Sequence, residues 1–183
     1  MPNIQDLQSI ITQRAGLAVT NRYQVTFSLP QSLKRIFPEA GSASAQVLNL
    51  MCDATSLPGR QISTIDYVSN KQVVKVPYGF INEDVTFTFL LTNDFYAKKV
   101  FDAWAKSIMD FKTYRANYLF DHVSDIRVNQ MAKGEEQESI IYGVVLKNAY
   151  PVTIGNVNLE NTAENTIQKF SVVMTYENFE EIT

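Results

Sequence analysis

Histidine and cysteine are the side chains best able to act as base, nucleophile or metal ligand, and the sequence holds one of each, His122 and Cys52. His122 stands between Asp121 and Asp125, a spacing from which an Asp-His dyad or a metal site can be drawn. A metal asks for three or four ligands, and no second histidine or cysteine exists to complete the set, so a partly exposed structural histidine is expected. Cys52 has no partner for an intramolecular disulfide or a paired-cysteine zinc set. With Leu48, Leu50 and Ala54 at alternate positions, it reads as a small apolar side chain on a buried strand face. Asp94, Asp102 and Asp110 make an acid-base pair on paper, but such aspartates read more simply as solvated charge. No G-x-S-x-G elbow, phosphate-cradling loop or G-x-G-x-x-G occurs in a chain with 7 glycines. No catalytic residue, metal ligand or cofactor is assigned, and an enzyme is not expected.

With 183 residues, 45% hydrophobic and 19% charged, the chain is sized for one core, and a single domain over 1–183 is expected. A net charge of -3, a pI near 5.2 and scattered Lys and Arg give no basic footprint, which argues against tight nucleic-acid binding. Met1 to Arg14 lacks the apolar core of a signal peptide, and no run approaches the roughly 20 apolar residues that span a bilayer. A protein made and kept in the cytoplasm, with no membrane partner, is expected.

Periodicity outlines the elements that must carry any function. Ile4, Leu7, Ile10 and Ile11 fall at helical spacing before Gly16 and predict an N-terminal helix over about 3–15. Tyr23, Val25, Phe27 and Leu29 alternate with polar residues and predict a half-buried strand. Pro30 to Ser44 reads as a loop in which Leu33, Ile36 and Phe37 allow one helical turn; a strand is predicted from Ala45 to Ala54, closing at Ser56-Leu57-Pro58-Gly59. Two extended runs, Gln61 to Val68 and Lys71 to Pro77, joined near Ser69-Asn70 and stopped by Tyr78-Gly79, predict a long hairpin over about 61–77.

Val85, Phe87, Phe89 and Leu91 predict a further strand. Asn93-Asp94 then cap a main helix over about 95–111, with Ala97, Val100, Phe101, Trp104, Ile108 and Phe111 on one face and an Asp102–Lys106 pair on the other. Thr113 to Gln130 has no decisive pattern, and Lys133-Gly134-Glu135-Glu136 predicts an exposed turn. Strands near Ser139 to Lys147 and Ile167 to Tyr176 flank a long connection from Asn148 to Asn165. This order lacks the alternation of a parallel α/β fold. It predicts a mainly β (α+β) architecture: an antiparallel β-sandwich or barrel with a flanking α-helix and a long protruding hairpin.

The hairpin is the unexplained element. Ile62, Thr64, Asp66 and Val68 share one side of its first strand and Lys71, Val73 and Lys75 one side of its second, so neither strand sorts cleanly into oily and wet faces. An isolated two-stranded ribbon is marginal in water, and its open edges invite another chain. Packing on its own domain and pairing outside it both stay open.

Several longer words occur in order along nearly the whole chain: Asn21-Arg22-Tyr23-Gln24-Val25, then Cys52-Asp53-Ala54-Thr55-Ser56-Leu57-Pro58-Gly59 with the hairpin after it, then Ala149-Tyr150-Pro151-Val152-Thr153-Ile154-Gly155, then Phe170-Ser171-Val172-Val173-Met174-Thr175-Tyr176. In these the sequence resembles the tail tube family of contractile-tailed bacteriophages. The resemblance implies a small β-sandwich whose copies form hexameric rings, the hairpins of neighbours closing a barrel around a lumen and the rings stacking into the inner tail tube. It implies as partners further copies of the chain, a tail sheath protein, a baseplate tube-initiator, and DNA that passes without specific binding. The place implied is the virion tail, assembled in the host cytoplasm. Gln61, Ile62, Thr64, Asp66, Lys71, Val73 and Lys75 are then candidates for the subunit interface or the lumen wall. The Pro30 to Ser44 segment is longer than the connection the family uses. Competing readings are a baseplate tube-initiator, a tube protein of a related contractile injection system such as the type VI secretion ring, and, from a different class, a monomeric β-barrel holding a small ligand.

Overall fold

Alternating apolar residues dictate most of the strands in the computed structural model, which describes residues 3–14, 16–36, 42–69, 71–132, 139–160 and 166–182. In chain order the elements are α1 (Ile4–Gln13), β1 (Tyr23–Phe27), α2 (Gln31–Ile36), α3 (Ser42–Met51), β2 (Cys52–Thr55), β3 (Arg60–Ser69), β4 (Gln72–Asn82), β5 (Val85–Leu90), α4 (Tyr96–Ile108), β6 (Met109–Asp110), β7 (Arg115–Ala116), α5 (Leu119–His122), β8 (Ser124–Met131), β9 (Ile140–Ile154), β10 (Lys169–Thr175) and β11 (Asn178–Ile182). Every strand pairing is antiparallel, and the fold is the expected sandwich with a flanking helix and a separate β3–β4 ribbon. No helix among the described residues is long and apolar enough to cross a membrane.

β9 joins the two layers. Its first half pairs with β8 and β11, beyond which β1 extends that layer; its second half pairs with β10, followed by β5 and β2. The strand changes layers at Asn148, whose φ of 53° suits asparagine better than most side chains. Asp125 Oδ1 accepts the Asn148 backbone N–H at 3.3 Å, and Asn148 Nδ2 donates to Glu177 Oε2 at 2.6 Å, which pins the corner. Inward-facing residues of both layers meet in one core, and α4 lays Val100, Phe101 and Trp104 onto it. Phe27, Phe87, Phe89, Phe101 and Phe170 contact one another there with ring centroids 5.0 to 6.3 Å apart. Such pairs are worth about 0.5–1.5 kcal/mol each beyond the area they bury.

His122 is not partly exposed: only 5% of its surface reaches solvent. Its carbonyl accepts Trp104 Nε1–H at 2.7 Å and its ring stands edge-on to Tyr150 at 5.6 Å. Burial holds its pKa below the usual histidine value, so it serves as a neutral wedge under α4. No group of three His, Cys, Asp or Glu among the described residues is placed to hold a metal. Burial, aided by the neighbouring Asp53 carboxylate, pushes the half-buried Cys52 thiol up to about 12, far from a reactive thiolate.

Several expected boundaries move. Part of the Pro30 to Ser44 loop is helical, as α2 and the start of α3, while Phe37 to Gly41 lie outside the described residues. The strand expected over Ala45 to Ala54 is helix as far as Met51; Ala, Gln, Leu and Met favour that choice, and only Val47 in the stretch is β-branched. Asn49 then reaches back so that its Oδ1 accepts the Phe27 N–H at 2.8 Å on the outer edge of β1. α4 ends at Ile108 and not at Phe111, because Met109 and Asp110 leave the helix to pair with Ala116 and Arg115. Its N-cap is Phe95 at φ 54°, with Asp94 accepting the Tyr96 N–H at 3.2 Å, and the surface ion pair is Lys98–Asp102 at 3.1 Å in place of Asp102–Lys106.

β9 runs through to Ile154, where a connection from Asn148 was expected. A bulge at Val152, next to Pro151 on the same strand, accompanies the missing N–H, and Gly155 ends the strand where an added Cβ would meet Ser171 O at 2.8 Å. β11 has no counterpart in the expectations. The exposed turn predicted over Lys133 to Glu136 lies outside the described residues.

The helical assignment of α3 separates two leucines that a strand would place on one face: Leu48 is 0% exposed and Leu50 81%. Leu48→Ala is expected to cost about 2–5 kcal/mol and Leu50→Ala less than about 0.5 kcal/mol in urea unfolding of the monomer. Equal losses at both positions would favour a strand.

Candidate assembly interface

Cross-strand partners in an antiparallel ladder share a face, so the register decides what each side of the β3–β4 arm presents. Asp66 lies opposite Lys75, Val68 opposite Val73 and Thr64 opposite Pro77 on one side; Tyr67 opposite Val74 and Ile65 opposite Val76 form the other. One face is therefore mixed and the other a continuous apolar block. Taken singly, neither strand reveals this. Gln61 and Ile62 sit near the root, opposite Ile81 and Phe80. Lys71 does not share a strand face with Val73 and Lys75: it stands in the tight turn between Ser69 and Gln72 at φ 66°. The arm is also longer than 61–77. Tyr78-Gly79 does not stop it, because Tyr78 is a bulge residue with none opposite, and pairing resumes from Gly79 to Asn82.

The arm stands clear of the domain; every β4 residue from Gln72 to Ile81 is exposed. Its root, by contrast, is clamped. Arg60 Nε donates to Asn82 Oδ1 at 3.1 Å and its Nη2 to Asn178 Oδ1 at 2.9 Å, while the guanidinium plane lies 4.8 Å from the Phe80 ring centroid and 4.4 Å from that of Phe179. Asn82 Nδ2 donates to Glu177 O at 3.1 Å, Glu83 N–H to Gly59 O at 3.0 Å, and Tyr176 Oη–H to Glu83 O at 2.8 Å. A planar, forked cation that lies over two rings and donates to two amides fixes direction as well as distance. Arg60, Asn82, Asn178 and Phe179 escaped sequence reasoning because their sequence separation is large and no periodicity links them.

Loss of this clamp should loosen the arm and leave the core intact. Arg60→Ala is expected to raise the rate of tryptic cleavage after Lys75 several-fold with unchanged far-ultraviolet circular dichroism, and Arg60→Lys, lacking the fork, to restore little of the protection. Cleavage at the unaltered rate in Arg60→Ala would contradict the clamp.

Residues 18–182 match the family model described as phage tail tube protein. Among solved structures, the chain is similar to one from the PVC extracellular contractile injection system sheath-tube complex in its extended state, at 15% identity and TM-score 0.63 over 95% of this chain and 96% of that chain. It is also similar to a chain of the anti-feeding prophage baseplate (11% identity, TM-score 0.62, 91% and 95% covered) and to one of the anti-feeding prophage tube-terminating cap (14%, 0.63, 91% and 91%). At these identities the likeness speaks for the fold. Comparison with curated proteins gives no match. The matched segment takes in both layers, the arm and its clamp, and the chain belongs to the phage tail tube protein family, a structural component of the tail.

Proposed function

We propose that the chain forms hexameric rings through edge-to-edge pairing of the β3–β4 arms of neighbouring copies, and that the rings stack into the inner tail tube. The observation that carries this reading is the arm itself: two long paired strands, solvent on both faces and unpaired outer edges, held rigidly on a well-packed domain. Open edges and an exposed apolar face are liabilities in a monomer, and closing the arms into a barrel removes the edges altogether. The apolar block of Ile65, Tyr67, Val74 and Val76 then turns toward protein, and the face bearing Thr64, Asp66 and Lys75 toward a water-filled lumen. The bulge at Tyr78 separates this block from the root, where Arg60 reaches Asn178 and Phe179 of β11. Gln61 and Ile62 lie where one arm meets the next domain, Val73 beside Lys75 on the wetter face, and Lys71 at the rim.

Asp66 and Lys75, opposite each other across the ladder, offset each other's charge on the lumen face, so DNA slides through without being held. Two similar folds come from assemblies described as a sheath-tube complex and as a sixfold-symmetrised baseplate, which supports a sheath around the tube, initiation at a baseplate and rings of six. Assembly in the host cytoplasm follows from that reading.

Negative-stain electron microscopy with sedimentation velocity tests it. The unaltered chain is expected to give rings or hollow tubes of uniform width, Tyr67→Lys a folded monomer, and Asp66→Asn normal assembly. Loss of assembly in Asp66→Asn with normal assembly in Tyr67→Lys would reverse the faces, and an unaltered chain that stays monomeric even when seeded with assembled tube tips would overturn the ring.

A further inference from the structure

We propose that His122 is an acid-released latch, whose protonation frees α5 from α4 and β9 and opens the cleft that α5 borders, while both sheets stay folded. The device belongs to the single copy and holds whether or not copies assemble. From Met109 to Asp121 every residue is exposed, and His122 is the first side chain after them to be buried, at 5% exposure. α5 is one turn of 4 residues, too short to hold itself in water. Two ties bound it. On one side Asn117 donates its N–H to Ile108 O at 3.0 Å and its Nδ2 to Ser107 O at 2.7 Å; on the other Ser124 Oγ–H donates to the Ser28 carbonyl. Between these ties the seat of α5 rests on His122, whose carbonyl accepts Trp104 Nε1–H and whose ring stands against Tyr150. An apolar side chain would fill the same place without ever charging.

The neutral ring suits this place and the charged ring does not. An imidazolium donates from both nitrogens, and among the described residues Nδ1 has no hydrogen-bond partner. Burial is the largest influence on the ring and lowers its pKa; the Tyr118 carbonyl and the Asp121 carboxylate act the other way and are outweighed. The elements packed round α5 bring no further carboxylate to the ring. α4 presents Trp104, and its one acid, Asp102, is held by Lys98. β9 presents Tyr150, α2 carries Lys34 and Arg35 and no acid, and Asp125 of β8 is engaged by Lys147 Nζ and the Asn148 N–H.

Linkage fixes the sign. With the folded pKa below the ordinary value of 6.5, the latch is fully held above that value and weakens as pH falls through it. Release gains up to about ten-fold per pH unit until the folded pKa is reached. α5 contributes Phe120 and Asp121 to the wall of a cleft of about 590 Å³ that Leu29, Ser32, Ser107 and Asn117 also line. Ser32 Oγ, buried there without a partner among the described residues, gains water when α5 leaves, which favours the open form.

Trp104 is the only tryptophan, so its emission reports on the latch directly. Emission and amide exchange are followed in the full-length chain between about pH 7.5 and about pH 5.5, with exchange referred to the chemical rate at each pH. A red shift of the emission maximum and about ten-fold weaker protection of residues 119–123 at the acid end are expected, with β5 protected throughout. His122→Phe and His122→Gln, neither of which charges, should abolish the pH dependence, and Asp121→Asn, which removes the charge favouring the proton, should move the midpoint to lower pH. A flat profile in the unaltered chain, the same profile in either His122 variant, an unmoved midpoint in Asp121→Asn, or acid loss of β5 protection together with α5 would each overturn the latch.

Discussion

Unpaired backbone groups along the outer edges of the β3–β4 arm set the terms for the rest of the molecule. A ribbon with two open edges and an apolar face is a hazard in water, and its usefulness depends on being aimed so that only the intended edge can reach it. The domain supplies that aim. Arg60, held by Asn82 and Asn178 and lying over the rings of Phe80 and Phe179, joins the arm to β11, and β11 is paired along β9.

β9 gives the clamp its stiffness. Because one strand serves both layers, the corner at Asn148 cannot move without disturbing the pairings of β8, β10 and β11 together. α4 backs the same region: Trp104 donates to the His122 carbonyl, and His122 packs on Tyr150 two residues beyond the corner. The chain's one histidine is therefore spent on rigidity. Burial lowers the pKa of its ring and raises that of the Cys52 thiol.

Strands whose two faces differ were legible in the sequence, and segments whose fate depends on distant partners were not. Val85, Phe87 and Phe89 alternate with threonines and are the fully buried side of β5, so period two sufficed. The stretch from Ala45 to Met51 carries enough leucine to imitate a strand, but helix propensity and the edge of β1 that Asn49 covers decide for helix. β11, with Phe179 and Ile182 among polar residues, offers too little pattern to be read alone. The hairpin was visible from Gln61 to Pro77, whereas its faces were not: cross-strand register pairs Tyr67 with Val74 and Asp66 with Lys75, and register is a property of two strands that neither one encodes. The clamp at Arg60 spans 118 residues to Asn178, beyond the reach of any local pattern.

The most direct measurement of the central claim is amide hydrogen exchange along β3 and β4, before and after the chain is polymerised. If the arms pair edge to edge, the outward-pointing N–H groups of Ile62 to Val68 and Val73 to Phe80 that exchange quickly in the monomer become protected in the assembly, while α4 and β5 change little. Assembled material in which those amides exchange as fast as in the monomer would contradict the account.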